Sequence, residues 1–348
     1  MAERKIVKGE RIVLSGISSK AWEHPADRAA LNALRAVPGV DQVIKFIIGN
    51  GLERMYRLRF LGTSVKASEK QYPKVYGSLV ETARILDSEY VPEIYVTSNP
   101  TLNAMAFGVD NPFIIINSEL ARKFDEDELM TVVAHEMGHI LSGHMLYKTM
   151  AIIIRMILVN LSLPILRAIP FSYAILYAVS LALLEWSRKS ELSCDRVGLL
   201  TVQNPEASYR VLTKLAGGVD EEQLNVEEFI KQAEEYEGHG NIVDGVMKLM
   251  ILLDQTHPFP VLRVKELKNW IDDAKYQEIL DGNYHRRDEE DEWSFKGDFE
   301  SAYNQYKEDL KRSEDPLAKT LNNLGENLQE GVEKAAKQAE EFFSNLFK

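Results

Sequence analysis

Apolar residues recur every three or four positions early in the chain, at Ala29, Leu31, Leu34 and Val37 and again at Val75, Leu79, Thr82, Ile85 and Leu86. That spacing predicts helices with one buried face, so residues 20–90 are expected to be mostly helical support for the centre of the chain. From Pro92 the pattern changes to short β-branched runs, Ile94-Tyr95-Val96 and Phe113-Ile114-Ile115-Ile116, separated by Asn99-Pro100 and Asp110-Asn111-Pro112. These predict strands of a small sheet. The next helix has a marked start. Asp125 can cap it, Glu128 stands at the capping-box position, and Phe124 can staple onto Leu129, so a helix is expected from about Glu126 to Tyr147.

Residues 149–184 are the most apolar stretch and break at Pro164 to Pro170, which predicts a helical hairpin with Arg167 at its corner. Residues 200–285 return to mixed helical composition and include His257-Pro258-Phe259-Pro260, a stop before another helix. The charge-dense RRDEEDEWSFKGDF at 286–299 reads as a solvated linker. Leu317, Leu321, Leu324, Leu328, Val332, Ala335, Ala339, Phe342 and Leu346 then form one amphipathic stripe. No internal repeat is present. The expected architecture is an α+β fold, mostly helical with a small sheet. It divides into a helical region (1–69), a central domain (70–285) with the hairpin inserted, an acidic linker (286–315) and an amphipathic tail (316–348) suited to folding back or self-association.

Each arm of the hairpin has about the length that a short or tilted membrane helix needs. Lys148, Arg188 and Lys189 flank its ends, favouring a cytoplasmic catalytic side, and Ala174, Ala178 and Ala182 offer a stripe for close packing. Arg155 and Asn160 argue the other way, since an arginine at mid-bilayer costs about 3 kcal/mol. Membrane association is the expectation, with burial in a soluble core as the alternative. Composition narrows the chemistry. At 45% hydrophobic the chain can build a real core, and its single cysteine, Cys194, rules out an internal disulfide and a multi-thiolate metal site. A lone cysteine points to a reducing compartment, and the charged amino-terminal segment has no signal-peptide run, so secretion by such a signal is not expected. A net charge of −12 repels phosphate backbones, which makes nucleic acid a poor partner.

Within that frame, His135-Glu136-Met137-Gly138-His139 is an H-E-x-x-H on the capped helix. One helical turn separates the imidazoles, so both can grip one ion, and Glu136 beside them can act as a general base toward water. A catalytic zinc site takes a third protein ligand and keeps a position open. The third histidine of an H-E-x-x-H-x-x-G-x-x-H pattern would fall at Met145 and its glycine at Ser142, which excludes that arrangement. Glu191 and Asp195 stand one turn apart downstream; Glu191 can bind the ion while Asp195 holds a ligand imidazole. The ordinary reading of Glu191 is a solvated helix carboxylate, and the nearest rival, Glu185, is better explained as a partner of Lys189. His144 points off the ligand face, as a bystander or a donor behind the ligands.

Taken together, HEMGH, the downstream ELSCD, Asn103-Ala104 with Gly108 before the PFIII strand, and HPFPVLR resemble the HtpX-like and CAAX-prenyl-protease-like gluzincin metallopeptidases over about residues 70–270. The resemblance implies a gluzincin-type zincin domain with one zinc per chain at His135, His139 and Glu191. It further implies Glu136 as general base, Asp195 behind the ligands, and a backbone at Asn103 and Ala104 that pairs with an extended protein or peptide substrate. His257 and Arg263 are expected near the metal as donors to the oxyanion. The family usually has a small residue where Cys194 stands, which a buried cysteine can replace. The implied activity is endopeptidase action, with a role in protein quality control. The competing function is a non-cleaving, membrane-associated zinc-binding or chaperone-like protein; an intact Glu136 argues against it, because a structural site has no use for a base.

Overall fold

The computed structural model describes residues 11–36, 51–159, 173–218, 223–238 and 260–289. A four-stranded sheet organises them, built from β1 (Ser64–Lys66), β2 (Glu93–Thr97), β3 (Ala104–Phe107) and β4 (Phe113–Asn117) in the order β1-β2-β4-β3. β2 and β4 pair in parallel, Ile94 against Ile114 and Val96 against Ile116, while β1 and β3 join antiparallel at the edges. The run Phe113-Ile114-Ile115-Ile116-Asn117 is buried throughout because this central strand is covered on both faces.

Alternation along the strands sends the two faces to two cores. Ile94, Val96, Ile114 and Ile116 meet Val75 and Leu79 of α3 (Pro73–Ile85) and Leu129, Val132 and Val133 of α5 (Glu126–Leu141), the two helices lying to either side of the short α4 (Ser118–Lys123) in the chain. Tyr95, Phe107, Phe113 and Ile115 meet α6 (Met145–Val159), the first half of α7 (Tyr173–Val202), α1 (Pro25–Ala36) and α2 (Leu52–Thr63). A third core gathers Trp22 and the second half of α7 with α8 (Pro205–Gly217), α9 (Val226–Gly238), α10 (Pro260–Asp272) and α11 (Lys275–Leu280).

The predicted strands at 94–96 and 113–116 are present, as is the buried stripe Val75, Leu79, Thr82 and Ile85. Two boundaries differ from expectation. Ser64–Lys66 is a strand within the region read as helical, since its backbone finds partners on β2. The helix expected to reach Tyr147 ends at Leu141, with Gly143 at φ +70°, and α6 starts afresh at Met145. Glycine takes that left-handed turn without the Cβ penalty that other residues incur.

The start of α5 is as predicted. Asp125 Oδ1 accepts from the Glu128 N–H at 2.8 Å, Glu128 Oε2 accepts from the Asp125 N–H at 3.0 Å, and Phe124 and Leu129 are both buried in one core. Such a cap stabilises by about 1 kcal/mol. Glu128 also forms a buried ion pair with Lys214 of α8, 2.7 Å apart, which fixes α8 against the start of α5.

The described part of the hairpin is α6 and the first half of α7, which pack on each other and on the sheet. Among the described residues no helix is long and apolar enough to cross a membrane. The hairpin corner, most of the linker, the amphipathic tail, and His257 lie outside the described residues, as do the side chains of Arg155 and Glu185.

Candidate metal centre

α5 and α7 approach closely at two glycines. A Cβ on Gly138 would meet Val197 Cγ2 at 3.0 Å and the Cys194 Cα at 3.3 Å, and one on Gly198 would meet the Thr131 carbonyl oxygen at 3.1 Å. Glycine at the fourth position of HEMGH therefore does packing work that lets α7 deliver its carboxylates to α5. His135, His139 and Glu191 are all buried and each offers an atom within 4.8 Å of the others. Glu191 Oε2 lies 3.2 Å from His135 Nε2, and Oε1 lies 3.3 Å from His139 Nε2. Ligand atoms about 2.0–2.1 Å from a tetrahedral zinc stand about 3.4 Å apart, so two imidazoles and a carboxylate at this spacing fit such an ion.

Asp195 sits behind His135 and accepts from its Nδ1, 3.0 Å away. Arg263 of α10 grips the same carboxylate in bidentate fashion, Nε to Oδ2 at 2.7 Å and Nη2 to Oδ1 at 2.5 Å, and its Nη1 lies 3.3 Å from Glu191 Oε2. Burial alone would raise the pKa of Asp195, but Arg263 outweighs it and holds the carboxyl below its usual range. Burial likewise disfavours the charged form of His135, yet hydrogen bonds to Asp195 and Glu191 prevail and its pKa is raised to about 9. His139 goes the other way, pushed down by burial and then by the nearby ammonium of Lys148.

Lys148 and Asp27, near His139, were not assigned to the site from the sequence, and His144, expected as a bystander or a donor behind the ligands, stands between His139 and Asp27. Lys148 Nζ donates to Glu191 Oε1 at 2.6 Å and to His139 Nε2 at 3.1 Å. His144 Nδ1 lies 3.2 Å from His139 Nδ1, and Asp27 Oδ2 lies 3.1 Å from His144 Nε2. Lys148 carried only the signal of a basic residue flanking an apolar hairpin, and Asp27 only that of an acidic residue in the first turn of a helix. Cys194 is fully buried beside them, and burial pushes its thiol pKa well up, as for an inert core cysteine.

Glu136 is buried next to the ligands, and its Oε2 accepts the Ala106 backbone N–H of β3 at 2.7 Å. β3 is the terminal strand of the sheet order. Asn103 uses its carbonyl on the Asn117 N–H of β4, so alternation turns the backbone of Ala104 and Ala106 to the edge away from β4, where the Ala104 N–H meets Asn103 Oδ1 at 3.0 Å. A cleft of about 710 Å³ runs along this edge and is lined by Asn103, Ala104, His135, Glu136, Asp195 and Arg263. Its farther wall is apolar, with Leu212, Leu215, Phe229 and Val261. The fold thus brings together every proposed site residue among those described.

Residues 67–271 match peptidase family M48, a span that contains the cleft, α5 and α7. The chain belongs to that family. M48 membership makes it a metalloprotease, and its relatives carry matching names. It is similar to the plastoglobule-localized metallopeptidase 48, chloroplastic, of Arabidopsis thaliana, with 34% identity over 274 residues covering 77% of each chain. A protease HtpX homolog of Tropheryma whipplei is 30% identical over 173 residues, 44% of this chain and 59% of that protein. HtpX homolog 1 of Streptomyces coelicolor is 27% identical over 170 residues, 43% of this chain and 56% of that one. No solved structure matches.

Proposed function

We propose that this chain is a zinc-dependent endopeptidase that takes an extended peptide along β3 and cleaves it with Glu136 as general base. The observation that supports this reading is the convergence of His135, His139 and Glu191 beside Glu136, at a cleft that runs along the terminal strand β3. His135, His139 and Glu191 would hold the ion. Bound there, zinc acidifies water and polarises a carbonyl oxygen. Glu136 then takes the proton of the attacking water and passes it to the departing amine nitrogen. Its bond to the Ala106 N–H fixes the carboxylate in line with the strand edge where a substrate backbone would lie.

Asn103 and Ala104 bind substrate through main chain, which suits broad sequence tolerance and a role in protein quality control. Arg263 Nη1 is buried and faces Glu191 Oε2 at 3.3 Å, and we assign it, with His257, to the developing oxyanion. Arg263 also holds Asp195, so the two tasks share one guanidinium. The plastoglobule location in one relative's name supports placing this chain at a lipid surface, which liposome flotation tests.

The peptidase reading is tested by casein cleavage before and after chelation. Cleavage stops when the metal is stripped and returns on adding one equivalent of zinc. Zinc-loaded protein that leaves casein intact, or cleavage that survives chelation, contradicts it.

A further inference from the structure

Four side chains, fully or almost fully buried, form a line through His139 whose hydrogen-bond direction is fixed at both ends. His139 Nε2 faces Lys148 Nζ at 3.1 Å and Glu191 Oε1 at 3.3 Å; Lys148 is a pure donor and the nearer of the two, and Glu191 Oε1 already accepts from Lys148 at 2.6 Å, so Nε2 is assigned as an acceptor. His139 therefore carries its proton on Nδ1 and gives it to His144 Nδ1, 3.2 Å away. His144 in turn carries its proton on Nε2, which faces Asp27 Oδ2 at 3.1 Å, a pure acceptor. The carboxylate of Asp27 is itself pinned, accepting the Trp186 indole N–H on Oδ1 at 3.0 Å and the Ser193 hydroxyl on Oδ2 at 2.6 Å. His144 also stacks edge-on against Trp186, with ring centroids 5.4 Å apart.

We propose that Asp27, acting through His144, sets the tautomer and orientation of His139 and is thereby a positioning residue of the metal centre. The proposal rests on the reading of His139 as a zinc ligand. Its consequence is symmetry of support: His135 is oriented directly by Asp195, and His139 is oriented at one remove by Asp27. Asp27 lies on α1, outside the residues 67–271 that match the family, so the amino-terminal helix contributes to the centre and not only to the packing of α7.

Asp27→Asn is the discriminating variant. Because Trp186 can only donate, the amide oxygen must turn to it, which leaves the amide N–H₂ facing His144. The amide end then runs against the Lys148 end, so either the two Nδ1 N–H groups of His139 and His144 oppose each other or His139 Nε2 takes a proton that an ion must displace. In full-length protein titrated with zinc against a chromophoric chelator, Asp27→Asn weakens zinc binding about 10- to 100-fold. Ser193→Ala removes another hydrogen bond from the same carboxylate without touching either ring or reversing its acceptor character, so its loss of affinity is smaller than that of Asp27→Asn. Long-range ¹⁵N–¹H spectra of chelated wild type show His139 protonated on Nδ1 and His144 on Nε2. Wild-type affinity in a folded Asp27→Asn, an equal loss in Ser193→Ala, or His139 protonated on Nε2 would each overturn the proposal. If Asp27→Asn does not fold, the ring tautomers of the wild type decide the question. A wild type that binds no zinc defeats the peptidase reading, while the tautomer spectra still decide the role of Asp27.

Discussion

Helix α5 and helix α7 both supply the metal centre, but they reach it by different routes. α5 is marked off at its start by a reciprocal capping box and at its end by Gly143, and its two imidazoles share a face through i,i+4 spacing alone. α7 runs for 30 residues, its first half within the apolar hairpin, and Glu191 and Asp195 are an unexceptional acidic pair within its second half. They become part of a site because Gly138 and Gly198 let the two helices touch, and because Arg263 and Lys148 arrive from other elements to balance their charge. Local spacing defines one half of the centre and tertiary packing defines the other.

The largest effect that separates the two routes is expected from Glu191→Ala. Lys148 and Arg263 Nη1 lose the carboxylate that faces them, and removing one member of a buried ionic group costs about 3–5 kcal/mol. Thermal melting and zinc stoichiometry should fall together; a variant that keeps both shows that α7 supplies no ligand. Gly138→Ala comes next. Its Cβ would crowd Val197 Cγ2 at 3.0 Å and the Cys194 Cα at 3.3 Å, so the variant loses about 1–3 kcal/mol and binds zinc more weakly, although alanine is the better helix former. Unchanged zinc affinity and stability would mean that the close approach is not required.

The packing of the amino-terminal segment onto α7 predicts a pH effect of smaller size. His24 donates its backbone N–H to Ser193 Oγ, and burial lowers the pKa of its ring despite Glu266. A histidine with a lowered folded pKa binds fewer protons when folded. Its contribution is therefore present above about pH 6.5 and is lost as the pH falls below that, by at most about 1.4 kcal/mol per pH unit. Urea unfolding between pH 7 and 5 should show this slope in wild type and a shallower one in His24→Gln; parallel profiles would remove His24 from the explanation. The smallest effect is a control on the same physics as Gly138. Gly77 on α3 has nothing within 4 Å of a built Cβ, so Gly77→Ala should stabilise by up to about 1 kcal/mol in the same melting experiment. Destabilisation there would undercut the steric argument for Gly138.

The same division between local spacing and tertiary packing separates the features legible in the sequence from those that were not. The cap at Asp125, the strands at 94–96 and 113–116 and the HEMGH face all depend on spacing within a few residues, and all are found. The expected continuation of α5 to Tyr147 tracked an apolar pattern that runs on through Met145 and Leu146, and it overrode the stop at Gly143. Ser64–Lys66 is a strand only because β2 is there to pair with it. Asp27 and Lys148 look like ordinary surface charges in sequence; their roles depend on contacts with residues 117 and 43 positions away, respectively, at His144 and Glu191.

Zinc content and casein cleavage, measured side by side for wild type and Glu136→Gln, test the peptidase mechanism most directly. Both proteins should hold one zinc per chain, with cleavage by the variant reduced about 10²- to 10⁴-fold, the usual contribution of a general base. A Glu136→Gln protein that cleaves as fast as wild type, or a wild type that holds no zinc, would contradict it.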